Sequence, residues 1–311
     1  TSLNNLAILY VATKRYQDAE KLYLESIKIK KATLGVNHPA YAKSVNNLAL
    51  LYMTQEDFAR AEPLFLEAIA NQFNQISTIF PALSEKEREA FYNTLRSDLE
   101  RFNTFAVLNS LDNPAILGDM FNNQLTTKAL LFNASDKMRN DILQSRDENL
   151  INDFGHWRDL REKLARLYQL PKIDLEKKQQ EMLEFEEEVE QIEKSLSKRS
   201  SLFSKENDRR ALTWTKVRDQ LGADEAAVEI IRFRRYKIDP DGKSKINQDA
   251  NVPEFLNYGF TDEILYAGLI VDKSTVNHPK LVLLENGQEL ESRYLSYYKN
   301  AIHYVMDDYN S

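Results

Sequence analysis

The 311-residue chain contains no cysteine. That excludes a disulfide framework, a thiolate zinc site and, within these residues, a cysteine nucleophile. Glycine is scarce at 8 residues, well under the roughly 7% of an average protein, which argues against a collagen-like, glycine-looped or disordered chain. No apolar run approaches the ~18 residues that span a bilayer; the longest are short pieces such as Tyr266–Val271. No basic-then-apolar leader stands at Thr1, so a cytoplasmic location without membrane contact is expected. What is present is 42% hydrophobic and 29% charged residues, a helix-favouring balance long enough for two or three domains. The net charge of −7 is concentrated in one patch, since Asp174–Lys194 holds nine acidic and three basic residues.

An internal repeat opens the chain. Ser2-Leu3-Asn4-Asn5-Leu6-Ala7-Ile8-Leu9-Tyr10 returns as Ser44-Val45-Asn46-Asn47-Leu48-Ala49-Leu50-Leu51-Tyr52, a shift of 42 residues, and 13 of the 26 positions in Ser2–Ile27 are identical in Ser44–Ile69. Leu6, Leu9 and Tyr10 recur at helical spacing, as do Ala19, Leu22, Tyr23 and Ile27 further on, so each copy predicts a pair of helices. Gly35-Val36-Asn37-His38-Pro39 reads as a helix stop and a turn, with His38 a loop residue and not a ligand.

This pattern resembles the tetratricopeptide repeat, in the longer form with an Asn-Asn-Leu-Ala core known from kinesin light chains. The resemblance implies a solenoid whose inner groove is lined by the first helix of each repeat. The groove residues are then Asn4, Ile8 and Val11, with Lys43, Asn46, Leu50 and Met53, and the partner is a protein or peptide. Asparagine is costly within a helix, and its doubled use has two explanations, inter-repeat hydrogen bonding or recognition of a peptide backbone. Two repeats bury little solenoid core, and further repeats are expected before Thr1.

Beyond the repeats, Ser84-Glu85-Lys86-Glu87 has the form of a capping box and starts a helix with the apolar stripe Phe91, Leu95, Leu99, Phe102 and Phe105; a third, degenerate hairpin is one reading of this region. From about Leu117 to Leu196 two long helical stretches are expected on either side of Pro171. Leu143, Leu150, Trp157 and Leu164 form a seam in the first, and Leu175, Met182, Phe185, Val189, Ile192 and Leu196 in the second. An antiparallel hairpin turning at Leu170-Pro171-Lys172 follows. The acidic block Glu184–Glu193 on its second helix reads as a solvated face, the rival being a docking surface for a basic partner or a basic part of the same protein. His156 beside Trp157 is expected in the seam.

The period changes near Asp224. Ala226–Phe233, Ile264–Val271 and Lys280–Leu284 are strand-like runs joined by short links. Leu290, Tyr294, Tyr297, Tyr298, Ile302 and Tyr304 then mark a helix. Asp239-Pro240-Asp241-Gly242 is a turn signature without the further acids of a calcium loop. Arg232-Phe233-Arg234-Arg235-Tyr236-Lys237 is the one feature that suggests nucleic acid, and strand-edge protection or a solvated surface is the preferred explanation. No phosphate loop, metal spacing or nucleophile–base pair occurs, so no cofactor and no metal site are expected.

Trp214-Thr215-Lys216-Val217, Leu221–Ile230, Tyr266–Val271 and Leu281–Gly287 in this order resemble the opening of a CHAT domain, the caspase-like peptidase domain often found after tetratricopeptide repeats. The resemblance implies a cysteine endopeptidase with a His–Cys dyad on later strands. None of His38, His156, His278 or His303 stands in that context, so no catalytic residue is assigned and the chain alone should be inactive. The expected fold class is mainly α: a tetratricopeptide α-solenoid and a long helical hairpin followed by a partial α/β, caspase-like sheet. The segments are 1–80 (repeats), 81–205 (helical linker with hairpin) and 206–311 (first half of a CHAT domain). The implied function is the partner-sensing and scaffold part of such a protease, of the kind that acts in bacterial antiviral defence. The implied partners are a protein or peptide in the groove and the remainder of the CHAT domain, with nucleic acid only indirectly through a partner. The alternative is a non-catalytic scaffold that binds a partner protein.

Overall fold

The computed structural model of the chain describes residues 2–80, 83–168, 176–201, 212–238 and 258–294, with the side chains of 130–137, 201, 238 and 258 excluded. The described residues are mainly α-helical with a small antiparallel sheet, as the sequence patterns predict. The helices are α1 (Ser2–Ala12), α2 (Tyr16–Leu34), α3 (Pro39–Thr54), α4 (Phe58–Ile79), α5 (Glu85–Asn109), α6 (Ile116–Ser145), α7 (Glu148–Tyr168), α8 (Gln179–Ser201) and α9 (Trp214–Gln220). The strands are β1 (Ala226–Ile238), β2 (Tyr258–Asp272) and β3 (Lys280–Leu284), followed by a helical turn, Gly287–Glu289, that widens to a π-turn over Leu290–Tyr294.

The three consecutive segments drawn from the sequence differ from the two compact units of the structure. One unit gathers Thr1–Asn71, Ser97–Leu125 and Leu212–Ser311; the other gathers Gln72–Arg96 and Thr126–Ala211. The boundaries fall inside α4, α5 and α6, helices of 22, 25 and 30 residues, so a break in sequence pattern does not mark a break in packing.

In the first unit, α1–α2 and α3–α4 are the two predicted helix pairs. Their interiors hold the small residues Ala7, Ala19, Ala49 and Ala61, each wholly buried, which lets the helices approach closely. His38 is the N-cap of α3: its Nδ1 accepts from the Ala40 N–H at 3.0 Å, and Pro39 occupies the first turn, where a missing N–H costs nothing. Phe102 and Phe105 of α5 pack on Phe65 of α4, with ring centroids 6.4 and 4.7 Å away.

Within the same unit α9 leads into the meander β1–β2–β3, antiparallel throughout. Both long strands exceed their predicted runs, and β1 absorbs the whole basic cluster Arg232–Lys237. Thr213 caps α9 through its hydroxyl, and the Trp214 N–H donates to Asn122 on α6 at 2.8 Å. Gly118, also on α6, lies under the Trp214 indole; a Cβ there would come within 2.6 Å of Nε1.

In the second unit, Ser84 and Glu87 form the predicted capping box: Glu87 N–H donates to Ser84 Oγ at 3.3 Å and Ser84 N–H to Glu87 Oε2 at 3.1 Å. Helices α7 and α8 pack as the expected hairpin around Trp157, Leu150 and Leu196, with Met138 and Ile142 of α6. The expected turn at Leu170–Lys172 lies outside the described residues, as do the turn at Asp239–Gly242, His303 and the helix residues Tyr297, Tyr298, Ile302 and Tyr304.

Two expectations are corrected here. The first helical stretch is broken between α6 and α7, where Arg146 takes a left-handed φ of 58° and the Asp147 carboxylate caps α7 by accepting from Leu150 N–H at 3.1 Å. Leu143 therefore leaves the seam and is exposed. His156 also lies outside it, on the exposed side near Glu188, because Trp157 takes the buried position.

The acidic block is solvated at Glu184, Glu187 and Glu188, while its other end is held by basic residues of this chain. Glu193 is buried and its Oε1 accepts from Arg88 Nη2 at 3.2 Å and from Glu85 N–H at 2.8 Å. Lys86 pairs with Glu190 at 3.0 Å, and Lys194 with Glu87. Burial pushes the Glu193 carboxyl above the usual glutamate range.

Arg88→Leu strands the Glu193 carboxylate without its cation, and a loss of about 3–5 kcal/mol is expected in urea unfolding, with the less costly Glu193→Gln variant as its comparison. Gly118→Ala is expected to displace the Trp214 indole at a cost of about 1–3 kcal/mol, read as a shift of tryptophan emission in a Trp157→Phe background.

Candidate functional site

The seven groove residues fall into two sets. Asn4, Val11, Asn46 and Met53 are buried; Lys43 is exposed, and Ile8 and Leu50 are half-buried. The two asparagines bond between helix pairs. Asn4 Oδ1 accepts from the Ser44 hydroxyl of α3 at 3.0 Å, and Asn46 Nδ2 donates to Asp98 Oδ1 of α5 at 3.1 Å.

A second set of bonds repeats with the same shift. Glu20 accepts from the Tyr52 hydroxyl at 2.7 Å, and its equivalent Glu62 accepts from the Asn109 amide at 2.7 Å and from Asn113. Asp98 and Asn109 of α5 thus bond the second repeat as Ser44 and Tyr52 of α3 bond the first, except that Asp98 accepts from its asparagine where Ser44 donates. Residues 97–109 follow the second repeat in this way although no copy of the motif is legible in them. The signal available in the sequence was the apolar stripe Leu99, Phe102 and Phe105.

Two phenols of α3 are perturbed, Tyr41 within its own helix pair and Tyr52 between the pairs. Tyr41 donates to Glu67 at 2.5 Å and Tyr52 to Glu20. Burial, and then the neighbouring carboxylate, pushes both up to about 12. Arg60 lies over the Tyr52 ring, 4.2 Å from its centroid, and pairs with Glu20 at 3.1 Å.

Residues 1–72 match the tetratricopeptide repeat model, and the bonds repeated between the helix pairs agree with that match. The opening segment is a tetratricopeptide-repeat array. Tetratricopeptide repeats serve as scaffolds for protein–protein interaction. No curated protein matches the chain. Among the described residues no helix is long and apolar enough to cross a membrane.

Two further surfaces belong to the same unit. A cleft of about 600 Å³ is lined by residues that include Gln55, Asp57, Phe58, Glu62, Asn109 and Asn113, and two of its carboxylates are engaged: Asp57 by Arg60, Glu62 by the two asparagines. The sheet buries Ile231, Phe233, Leu265, Leu269 and Val271 on one face and leaves Val228 and Ile230 more than half exposed on the other, beside Val282 and Leu284.

The three arginines of the β1 cluster are spent on ion pairs. Arg232 meets Glu291 at 2.5 Å, Arg234 meets the buried Glu100 at 3.0 Å, and Arg235 meets Glu263 and Glu285. This arrangement supports the structural explanation of the cluster over a nucleic-acid surface.

A tyrosine whose folded value exceeds the ordinary 10 contributes stability that is complete below pH 10 and is lost as pH rises from about 10 to 12. Tyr52→Phe is expected to flatten that alkaline decline, seen as a smaller drop in unfolding midpoint between about pH 9 and about pH 11 than the unaltered chain shows.

Proposed function

We propose that this chain is the partner-sensing and scaffold portion of a tetratricopeptide–CHAT protein, a caspase-like cysteine protease of the antiviral-defence type whose activity is controlled by a protein or peptide bound to the repeats. The observation that carries the reading is the company the sheet keeps. The repeats and a meander in the order helix, strand, strand, strand belong to one compact unit, and among the described residues Val228, Ile230, Val282 and Leu284 are exposed on one face of that meander.

In this reading the exposed apolar residues Val228, Ile230, Val282 and Leu284 receive the remainder of the CHAT domain. Burial of such residues is worth roughly 25 cal/mol per Å², a sufficient reason for association. The groove partner would meet Lys43, Ile8 and Leu50 directly. Asn4, Val11, Asn46 and Met53 would shape the groove from beneath. Nucleic acid would act only indirectly, through the partner, and no cofactor is called for. The chain has no cysteine, and the expected dyad, in which an imidazole deprotonates a thiol beside oxyanion donors, draws on neither a thiol nor an assigned histidine of these residues.

The absence of cysteine also favours a second reading, a non-catalytic tetratricopeptide scaffold that binds a partner protein and uses the sheet for docking. Both readings share the groove and differ in proteolysis.

The test is capture from the host with the full-length protein and its Lys43→Glu/Leu50→Asp variant, followed by mixing each with the captured partner and following cleavage of the mixture on gels. A partner retained by the unaltered protein, lost about tenfold or more by the variant (~1.4 kcal/mol), and able to switch on cleavage supports the protease. Retention without cleavage supports the scaffold, and equal retention by the variant overturns the groove.

A further inference from the structure

We infer that α5 carries a mechanical coupling between the floor of the tetratricopeptide groove and the sheet, through Asp98, Arg101, Glu100 and Thr104. The inference rests on the proposed groove and names the route by which its occupancy is regulated into the sheet.

The route begins at one oxygen. Asp98 Oδ1 accepts both from Asn46 Nδ2 at 3.1 Å and from Arg101 Nη1 at 2.5 Å. Asn46 stands on the first helix of the second repeat, in the groove floor next to half-buried Leu50. The Arg101 guanidinium, held by that carboxylate, lies 5.2 Å from the Tyr236 ring centroid and 5.3 Å from that of Phe260. A cation over an aromatic face is directional, so the position of Arg101 is felt by both strands that carry those rings.

On the sheet side the contact is unusually specific. The register of β1 against β2 shifts between Arg234 and Tyr236, a bulge that interrupts the ladder. The Tyr236 N–H donates to Thr104 Oγ1 at 3.1 Å, so α5 takes a backbone donor at the bulge. Arg234 pairs with the buried Glu100 at 3.0 Å and lies 4.3 Å from the Phe260 centroid. Tyr236 and Phe260 close the cluster edge to face, with centroids 5.2 Å apart. Bulges re-aim side chains and are over-represented beside functional sites.

Within two turns, α5 therefore grips the groove floor through Asp98 and the bulge through Glu100, Arg101 and Thr104. A ligand that draws the Asn46 amide away leaves Asp98 and Arg101 to find a new arrangement, and the sheet must follow. Burial also holds the Tyr236 phenol above its ordinary value, so this tyrosine gains little from solvent and depends on Arg101 for its surroundings.

The experiment is hydrogen–deuterium exchange on the whole 311-residue chain without any partner. Asn46→Ala is expected to accelerate exchange of the β1 amides around Tyr236 by roughly five- to a hundredfold, the range of ordinary coupling between sites. Asp98→Asn, which keeps the shape and removes the charge, is expected to do the same, and the double variant to add little more. Tyr52→Phe breaks an inter-repeat bond of the same helix without touching α5 and should leave β1 unchanged. Changes confined to α3 and the start of 97–109, or an equal response to Tyr52→Phe, would overturn the coupling. Because no partner is present, failure here leaves the groove reading intact, and failure to find a groove partner leaves the coupling intact.

Discussion

Phe65 and Phe105, with ring centroids 4.7 Å apart, hold α5 against the second repeat, and the rest of the first unit depends on that contact. A helix pair of this type cannot bury its own apolar face and needs a neighbour on each side. On one side the second repeat meets the first through Ser44 and Tyr52; on the other it meets α5. Once α5 is seated by its phenylalanines, Asp98 reaches Asn46, Asn109 reaches Glu62, and Glu100 and Thr104 meet β1. The polar bonds add modest free energy each. They fix the register, since a rotation of α5 by one residue would part all of them together.

The repeat was legible in the sequence because both copies carry the same residue types at the same spacing, although their burial differs. Leu48 and Leu51 are buried to 2% and 1%, whereas their equivalents Leu6 and Leu9 are 40% and 44% exposed. The motif records residue type at every position, so it is read as easily where the leucines are exposed as where they are buried. The stacking of α5 on the second repeat was much less legible. Its contacts keep a donor for Glu62 but reverse the bond to the asparagine, since Ser44 donates to Asn4 while Asp98 accepts from Asn46, and a pattern of identities has nothing to match.

The candidate site was legible by position more than by role. The seven groove positions are where the first helices lie, yet four of them are buried. The doubled asparagine carries a hydrogen bond between helix pairs, which no single-helix periodicity distinguishes from recognition of a ligand. The break at Arg146–Asp147 was hidden for a different reason: the leucine spacing runs across it without interruption, and the stop depends on one left-handed backbone angle and an aspartate cap. The basic cluster of β1 shows the converse, where a conspicuous charge run is answered by Glu100, Glu263, Glu285 and Glu291, drawn from three other regions of the chain.

Two ion pairs join separate elements with little exposure to solvent. Glu193 with Arg88, and Glu100 with Arg234, each place a carboxylate with little solvent exposure against a guanidinium. Such pairs contribute little net stability, because desolvation offsets much of the attraction, yet removing one partner is expensive. Their effect is therefore to penalise wrong arrangements more than to favour the right one. In the first unit that penalty falls where α5 meets the sheet, so a displacement of α5 is resisted until several bonds give way together. On the proposed reading, an assembly held in this manner would yield to a groove ligand in steps, which is the behaviour a scaffold needs if binding on the repeats is to be felt at the sheet.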